Sequence, residues 1–252
     1  MDRRAAARRA AFYVAIVASW QAAASAGALP DGLLPSPWEV AEDIARGAAD
    51  SSLIVGVATT LWRLMAGLAI AIGAGVALGV AMARVRAVNE TVGSLVLGLQ
   101  SIPSIAWVPV ALIWFGVSDA GIVFVTAVGA VFAVTTSIYS SVRNIPPHYL
   151  EAARNMGARG GQLVTRVLLP AAFPHMISGF KQGWAFAWRG VVGAEMLFSF
   201  LGLGFLLNVG RHTVDISQVV AVLVVIMAMG MAVDAALFRR IEDRVRERWG
   251  LR

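Results

Sequence analysis

The stretch from Leu53 to Ala83 reads LIVGVATTLWRLMAGLAIAIGAGVALGVAMA, and Arg63 is its only charge. As a helix at 1.5 Å per residue it would be roughly 45 Å long, more than the ~30 Å hydrocarbon layer of a bilayer. A helix apolar on every side is either the core of a large protein or a membrane span, and at this length it belongs in lipid, with its first turns extending beyond it. The rest of the chain agrees. Of 252 residues 58% are hydrophobic and only 14% charged, with a mean hydropathy of +0.73, whereas soluble domains carry about 25% charged residues. The expected fold class is an all-α membrane protein, a single transmembrane unit spanning residues 1–252.

Working outward, apolar stretches of spanning length recur six times. They run from Ala10 to Leu29, Leu53 to Ala83, about Thr91 to Phe115, Gly121 to Tyr139, about Met176 to Phe200, and Ile216 to Phe238. Pro30, Pro35 and Pro37 break the chain after the first, and Pro37-Trp38-Glu39 opens a short amphipathic helix, ending near Asp50, that would lie in the membrane interface. Ala22-Ala23-Ala24 also fits the cleavage site of a signal peptide. Cleavage there would leave five spans and spoil the charge distribution, so a full first span is expected.

That distribution sets orientation, because basic residues are retained on the cytoplasmic side. With both termini inside, 16 of the 21 basic residues are cytoplasmic. They form four groups: Arg3, Arg4, Arg8 and Arg9; Arg84 and Arg86; Arg143, Arg154, Arg159 and Arg166; and six arginines from Arg239 to Arg252. The outer segments collect Asp31, Glu39, Glu42, Asp43, Asp50, Asp119 and Asp215.

The long loop between spans four and five, residues 141–175, is the most informative. Pro146-Pro147 suits a helix start, Glu151 lies near its positive end and forms an i,i+3 pair with Arg154, and Gly157 fits the left-handed residue that closes a helix. A second helix can then leave at an angle and stop before Pro170. The expected product is a helix-glycine-helix elbow projecting from the membrane.

The run Glu151-Ala152-Ala153, three residues, Gly157, nine residues, Val167-Leu168-Leu169-Pro170 resembles the EAA loop of the permease subunits of bacterial ABC importers. Leu99-Gln100-Ser101-Ile102-Pro103, Ala106-Trp107-Val108-Pro109, Arg63 with Gly67, and Ala194-Glu195-Met196 are similar to the nitrate/sulfonate/taurine branch. The resemblance implies a multi-pass protein of the bacterial inner membrane, in which Glu151, Ala152, Ala153, Gly157, Leu169 and Pro170 build a coupling helix. The partners it implies are a second copy of the chain, two cytoplasmic ATP-binding subunits that hold ATP and magnesium, and an extracytoplasmic substrate-binding protein. Membrane lipid surrounds the chain, and nucleic acid is not expected. The implied substrate is a small, anionic solute. This chain departs from many relatives at Gly161; Gly160-Gly161 starts a helix poorly, so the second half of the elbow is expected to be short or loose.

Other chemistry is missing. The one lysine, Lys181, precedes Gln182, so no phosphate-binding P-loop exists. Cysteine is absent, and His148, His175 and His212 are too scattered for a metal site. No catalytic nucleophile motif occurs, so the chain is not expected to be an enzyme or to bind a cofactor. An ion-coupled secondary transporter is the alternative; it would call for mid-membrane coupling carboxylates and an internal repeat, and neither is evident.

Charges within spans are costly and therefore candidates for function. Lys181, Arg189 and Glu195 fall within roughly a 120° arc of span five, which reads as a polar pathway in which Glu195 orients Arg189, or as structural pairing elsewhere. Arg63 and Asp234 sit nearer span ends, where snorkelling or intersubunit pairing is the expectation. Gln100 and Pro103 mark a kinked third span beside the route, with Pro109 a second kink. Gly67, Ala71, Gly75 and Gly79 form a small-residue stripe suited to close helix packing.

Overall fold

A computed structural model describes residues 3–26 and 33–248, and within them every regular element is helical. Helix α1 (Arg3–Ser25) leads to α2 (Pro37–Ala49), whose start is a reciprocal cap. Ser36 Oγ accepts from the Glu39 N–H at 3.2 Å, and the Glu39 carboxylate accepts from the Ser36 N–H at 2.7 Å. The apolar part of α1, Ala10–Ser25, is too short to count among the spans; the expected end of span one at Leu29 lies outside the described residues.

Among the described residues four helical segments are long and apolar enough to cross a bilayer: Ser52–Arg84, Asp119–Arg143, Gly161–Phe198 and Ile216–Val245. The first two are α3 (Ser52–Arg84) and α6 (Asp119–Arg143), and they pack along the small-residue stripe. A Cβ on Gly67, Gly75 or Gly79 would come within 2.7 Å of Thr126, Val134 or Ile138, so the side chains of α6 occupy the space those glycines leave. The stripe joins helices of one chain.

The expected third span is broken. Helix α4 (Arg86–Gln100) and the segment Ser104–Phe115, a 3₁₀ turn (Ser104–Trp107) running into α5 (Val108–Phe115), meet at 100°. Pro103 ends the first half because it supplies no N–H and holds the backbone extended, with ψ of 135°. Pro109 adds no second kink; it occupies the first turn of α5, where a missing N–H costs nothing.

After α6 come α7 (Pro147–Asn155), one turn α8 (Gly161–Leu163), a π-helical turn (Val164–Leu168) and α9 (Leu169–Phe198). The helix expected to stop before Pro170 instead continues into span five. The π turn is the reason: the Leu169 N–H bonds back five residues to the Val164 carbonyl, so the backbone is already widened where the Pro170 ring would press on the preceding turn. The chain closes with α10 (Leu203–His212), α11 (Ile216–Val233), a second π turn (Asp234–Phe238) and α12 (Arg239–Arg248).

Segments assigned to one membrane side by charge meet in space. The Asp43 carboxylate of α2 accepts from the Ser217 hydroxyl at the start of α11 and pairs with Arg46 at 2.8 Å. At the opposite end, Val80 and Ala83 of α3, Ile145, Leu150 of α7 and Leu168 share one apolar cluster. The elbow is thereby rooted on the ends of α3 and α6.

Candidate functional site

The elbow closes as a glycine cap. Gly157 has φ of +87°, its N–H donates to the Arg154 carbonyl at 2.9 Å, and the Ala158 N–H donates to the Ala153 carbonyl at 3.0 Å. These are the two bonds of a Schellman motif, and the left-handed residue they require is the glycine. Ala153 is buried, whereas Glu151, Ala152 and Met156 face out, Met156 at 88% exposure. Glu151 and Arg154 do not form the expected ion pair. Gly160, with φ of +54°, opens the short turn α8, in line with a weak start at Gly160-Gly161. Leu169 and Pro170 stand at the start of α9.

The sequence grouped Lys181, Arg189 and Glu195 on one face of span five; in the structure they go to three separate environments. Lys181 Nζ pairs with Asp234 at 2.6 Å, which ties α9 to the π turn below α11. Glu195 turns inward and does not orient Arg189. Its carboxylate, 0% exposed, accepts from Arg63 Nη1 at 2.8 Å, from the Thr60 hydroxyl at 2.8 Å and from the Gly204 N–H at 3.0 Å. An arc of 120° on a helix confronts several neighbours, here α3, α10 and the π turn after α11, so a shared face does not mean a shared partner.

Arg63 is therefore neither snorkelling nor awaiting another subunit. It is 1% exposed, and its Nε also donates to Asp119 at 2.7 Å, while Nη1 reaches the Leu201 carbonyl. Its guanidinium stacks over Phe200 at 5.3 Å. Thr60 relays the network by accepting from the Leu203 N–H at 2.9 Å. A Cβ on Gly202 would collide with the Glu195 carboxylate, so that glycine lets the α9–α10 turn close over the pair. The network fixes the Phe198–Leu203 turn to α3 and α6. Sequence reading missed it because Arg63 and Glu195 lie 132 residues apart; the one available signal was that Arg63, the single charge of span two, has its opposite in Glu195, the single acid of span five.

Arg189 is different. It is exposed on α9, its Nε donates to the Ala185 carbonyl one turn back at 3.1 Å, and its guanidinium rests 5.1 Å from the Phe186 ring. Among the described residues no carboxylate pairs with it. Within the expected span it is ~20 Å along the helix from Met176 and ~17 Å from Phe200, too deep to reach either surface. A lipid-facing arginine at that depth costs at least ~2.5–3.5 kcal/mol.

Arg189 has company that charge counting overlooked. His175, Ser178 and Gln182 are exposed on α9 at three- and four-residue steps leading to Phe186 and Arg189. Beside this stripe, the broken third span leaves a cavity of about 200 Å³ walled by Gln100, Pro103, Ser104, Gly129, Phe132 and Phe186. Gln100 accepts from the Thr136 hydroxyl of α6 at 3.3 Å. The break is seated by Gly129, where a Cβ would lie 2.7 Å from Ser104 Cβ. Among the described residues no group of His, Asp or Glu could hold a metal ion.

A helical membrane bundle with a glycine-capped elbow at one end and an exposed polar stripe along one helix has the make-up of a membrane transport component. The chain belongs to the family described as binding-protein-dependent transport system inner membrane component, which matches residues 69–247. It is an ABC transporter permease of the inner membrane, and its relatives are transport permeases rather than enzymes. Over 194 residues, 77% of this chain and 72% of the other, it is 34% identical to a provisionally named ABC transporter permease protein of Methanocaldococcus jannaschii. It is 25% identical to the nitrate import permease protein of a Synechocystis strain, over 80% of this chain and 76% of the other. With the bicarbonate transport system permease protein of Synechococcus elongatus it shares 28% identity, over 75% and 68%. The fold is similar to that of a chain in the inward-facing MetNI methionine ABC transporter, with a TM-score of 0.67 and 23% identity over 77% of this chain and 96% of the other.

Proposed function

We propose that this chain is the pathway-forming subunit of an ATP-driven importer for a small anion of the nitrate, sulfonate or bicarbonate kind. It works as six spans with both termini cytoplasmic, the whole chain forming one unit. Two copies enclose the route. An extracytoplasmic binding protein delivers the solute, and two cytoplasmic subunits bind ATP and magnesium and drive the cycle. This chain needs no cofactor of its own.

The observation that carries the reading is the elbow. Glu151, Ala152 and Ala153 stand on a short helix held at a fixed angle by Gly157. That helix is rooted on the ends of α3 and α6, and α8 with its π turn continues into α9, which begins at Leu169 and Pro170. Movement imposed on α7 is thus transmitted to the helices that carry the polar face. Met156 and Tyr149, exposed at 88% and 53%, offer apolar contacts to a docking partner at the membrane's aqueous edge. The anionic class is supported by the nitrate and bicarbonate relatives and by Arg189, the exposed cation at mid-span.

The test is co-purification with the ATP-binding subunits, followed by transport in proteoliposomes. Gly157→Val forces a β-branched residue into a left-handed conformation at a cost of about 1–3 kcal/mol. Glu151→Lys places a positive charge near a helix N-terminus. Each variant should insert normally yet lose bound ATPase or transport. Full transport with normal ATPase stoichiometry in both would refute coupling through the elbow.

A further inference from the structure

The exposed polar stripe on α9 runs beside the notch that the broken third span cuts. Resting on the importer reading, we propose that this notch is a transmembrane anion site, where Arg189 and the donors at the break hold a small oxyanion in transit.

Three observations converge. The first is an unneutralised cation. Arg189 spends its Nε on the Ala185 carbonyl of its own helix, and both terminal nitrogens lack a protein partner among the described residues. By contrast, Arg63, Lys181 and Arg239 each pair with a carboxylate. A guanidinium cannot shed its proton to escape an apolar setting, so Arg189 faces water or an anion.

The second is a ready set of neutral donors. Gln100 spends its amide oxygen on Thr136, its amide N–H groups have no partner among the described residues, and Ser104 stands on the cavity wall. Phe186 joins the two halves, since it lines the cavity and its ring carries the Arg189 guanidinium. The space of about 200 Å³ admits a small oxyanion with several waters at ~30 Å³ each.

The third is the approach. His175, Ser178 and Gln182 continue the polar stripe from Arg189 toward the elbow end of α9. Polar side chains at this depth, turned away from their own bundle, fit a wet path and not a lipid contact. Acidic groups are absent from the stripe. Glu195 is enclosed by Arg63 and Thr60, and Asp234 is held by Lys181 and Arg239, so nothing on this face competes with an anion for Arg189.

The chain lacks cysteine, so single cysteines report the site directly. Ser178→Cys, Gln182→Cys and, as an apolar-face control on α11, Met227→Cys would be made in the complete transporter in nanodiscs. Each would be reacted with an anionic and a cationic methanethiosulfonate reagent. Positions 178 and 182 should react and position 227 should not. At position 182 the anionic reagent should be preferred; Arg189→Gln should cut that preference roughly tenfold, and Arg189→Lys should retain most of it. Sodium nitrate should suppress the preference in the Arg189 protein more than sodium chloride at equal ionic strength does. That titration carries the test even if Arg189→Gln fails to assemble.

Silence at positions 178 and 182, a rate ratio indifferent to residue 189, or nitrate acting only as chloride does would overturn the anion site. Binding-protein-stimulated ATP hydrolysis in the same preparation tests the importer reading separately. Hydrolysis without charge preference defeats the site alone; a chain that recruits no ATPase defeats the importer reading.

Discussion

Removing the Glu195 carboxylate is the sharpest perturbation the structure offers. Glu195→Ala deletes the acceptor for Arg63 Nη1, the Thr60 hydroxyl and the Gly204 N–H, all in a site where Glu195 and Arg63 are 0% and 1% exposed. Breaking a buried ion pair by removing one partner costs about 3–5 kcal/mol, because the survivor is left charged and poorly solvated. Arg63 keeps Asp119, the Leu201 carbonyl and the Phe200 ring, which places the expected loss near ~3 kcal/mol. For a chain of this size each kcal/mol moves Tm by about 2–4 °C, so thermal unfolding of the purified protein in detergent should fall by roughly 6–12 °C. Replacing both members by apolar residues of similar bulk, Arg63→Met with Glu195→Leu, should recover a good part of the loss, giving a coupling energy above ~1.5 kcal/mol in a double-mutant cycle. A Tm change under about 2 °C for Glu195→Ala, or strict additivity in the cycle, would refute the view that this pair anchors the α9–α10 turn.

At the α3–α6 contact, Gly79→Ala puts a Cβ 2.7 Å from the Thr135 carbonyl and from Ile138, so overpacking should cost about 1–3 kcal/mol in the same unfolding assay, whereas Gly73→Ala meets open space and should be neutral or stabilising. For topology, an impermeant thiol reagent applied to intact cells should label a cysteine placed at Glu42, which is exposed, and should reach one placed at Arg159 only after permeabilisation. Asp215 caps α11, and the bond from the Gln218 N–H, helped by the Ser217 hydroxyl, holds its carboxyl below the usual carboxylate range. A depressed folded-state pKa adds stability above the unfolded value near ~3.9 that is lost as pH falls through the folded one. Asp215→Ala should therefore cost about 1 kcal/mol at neutral pH, a gap that narrows below about pH 4, while Asp215→Asn should keep most of the cap without that pH dependence.

Span five shows what a residue pattern can and cannot settle. From the sequence, its charges sort by angle alone, and the angles put Lys181, Arg189 and Glu195 together. Packing separates them: Lys181 meets Asp234 beyond α11, Glu195 meets Arg63 of α3, and Arg189 meets no carboxylate among the described residues and bonds back to its own helix. The third span teaches the same lesson through the backbone. Pro103 and Pro109 are equivalent breakers on paper, but only Pro103 breaks the helix, because Pro109 falls in a first turn. Pro170 is a stop on paper, yet a π turn just before it lets the helix run on. The elbow was legible nearly residue by residue because its logic is local: two prolines to start, a left-handed glycine to finish, and bonds that span five residues or fewer.

By itself, then, the sequence determined the solvent of this protein, its helical class, the close-packing stripe on α3 and the elbow with Gly157 as its hinge. Each of these follows from transfer free energy, helical periodicity or backbone freedom, which act within a few residues. Only the tertiary structure decided which buried charge meets which, that Arg63 and Glu195, 132 residues apart in sequence, pair to close the α9–α10 turn, and that Arg189 is left facing outward. Those outcomes depend on which helices become neighbours and at what depth. Neighbourhood in a bundle is set by the fit of whole surfaces, such as the α6 side chains seated in the glycine groove of α3, and no single residue carries it.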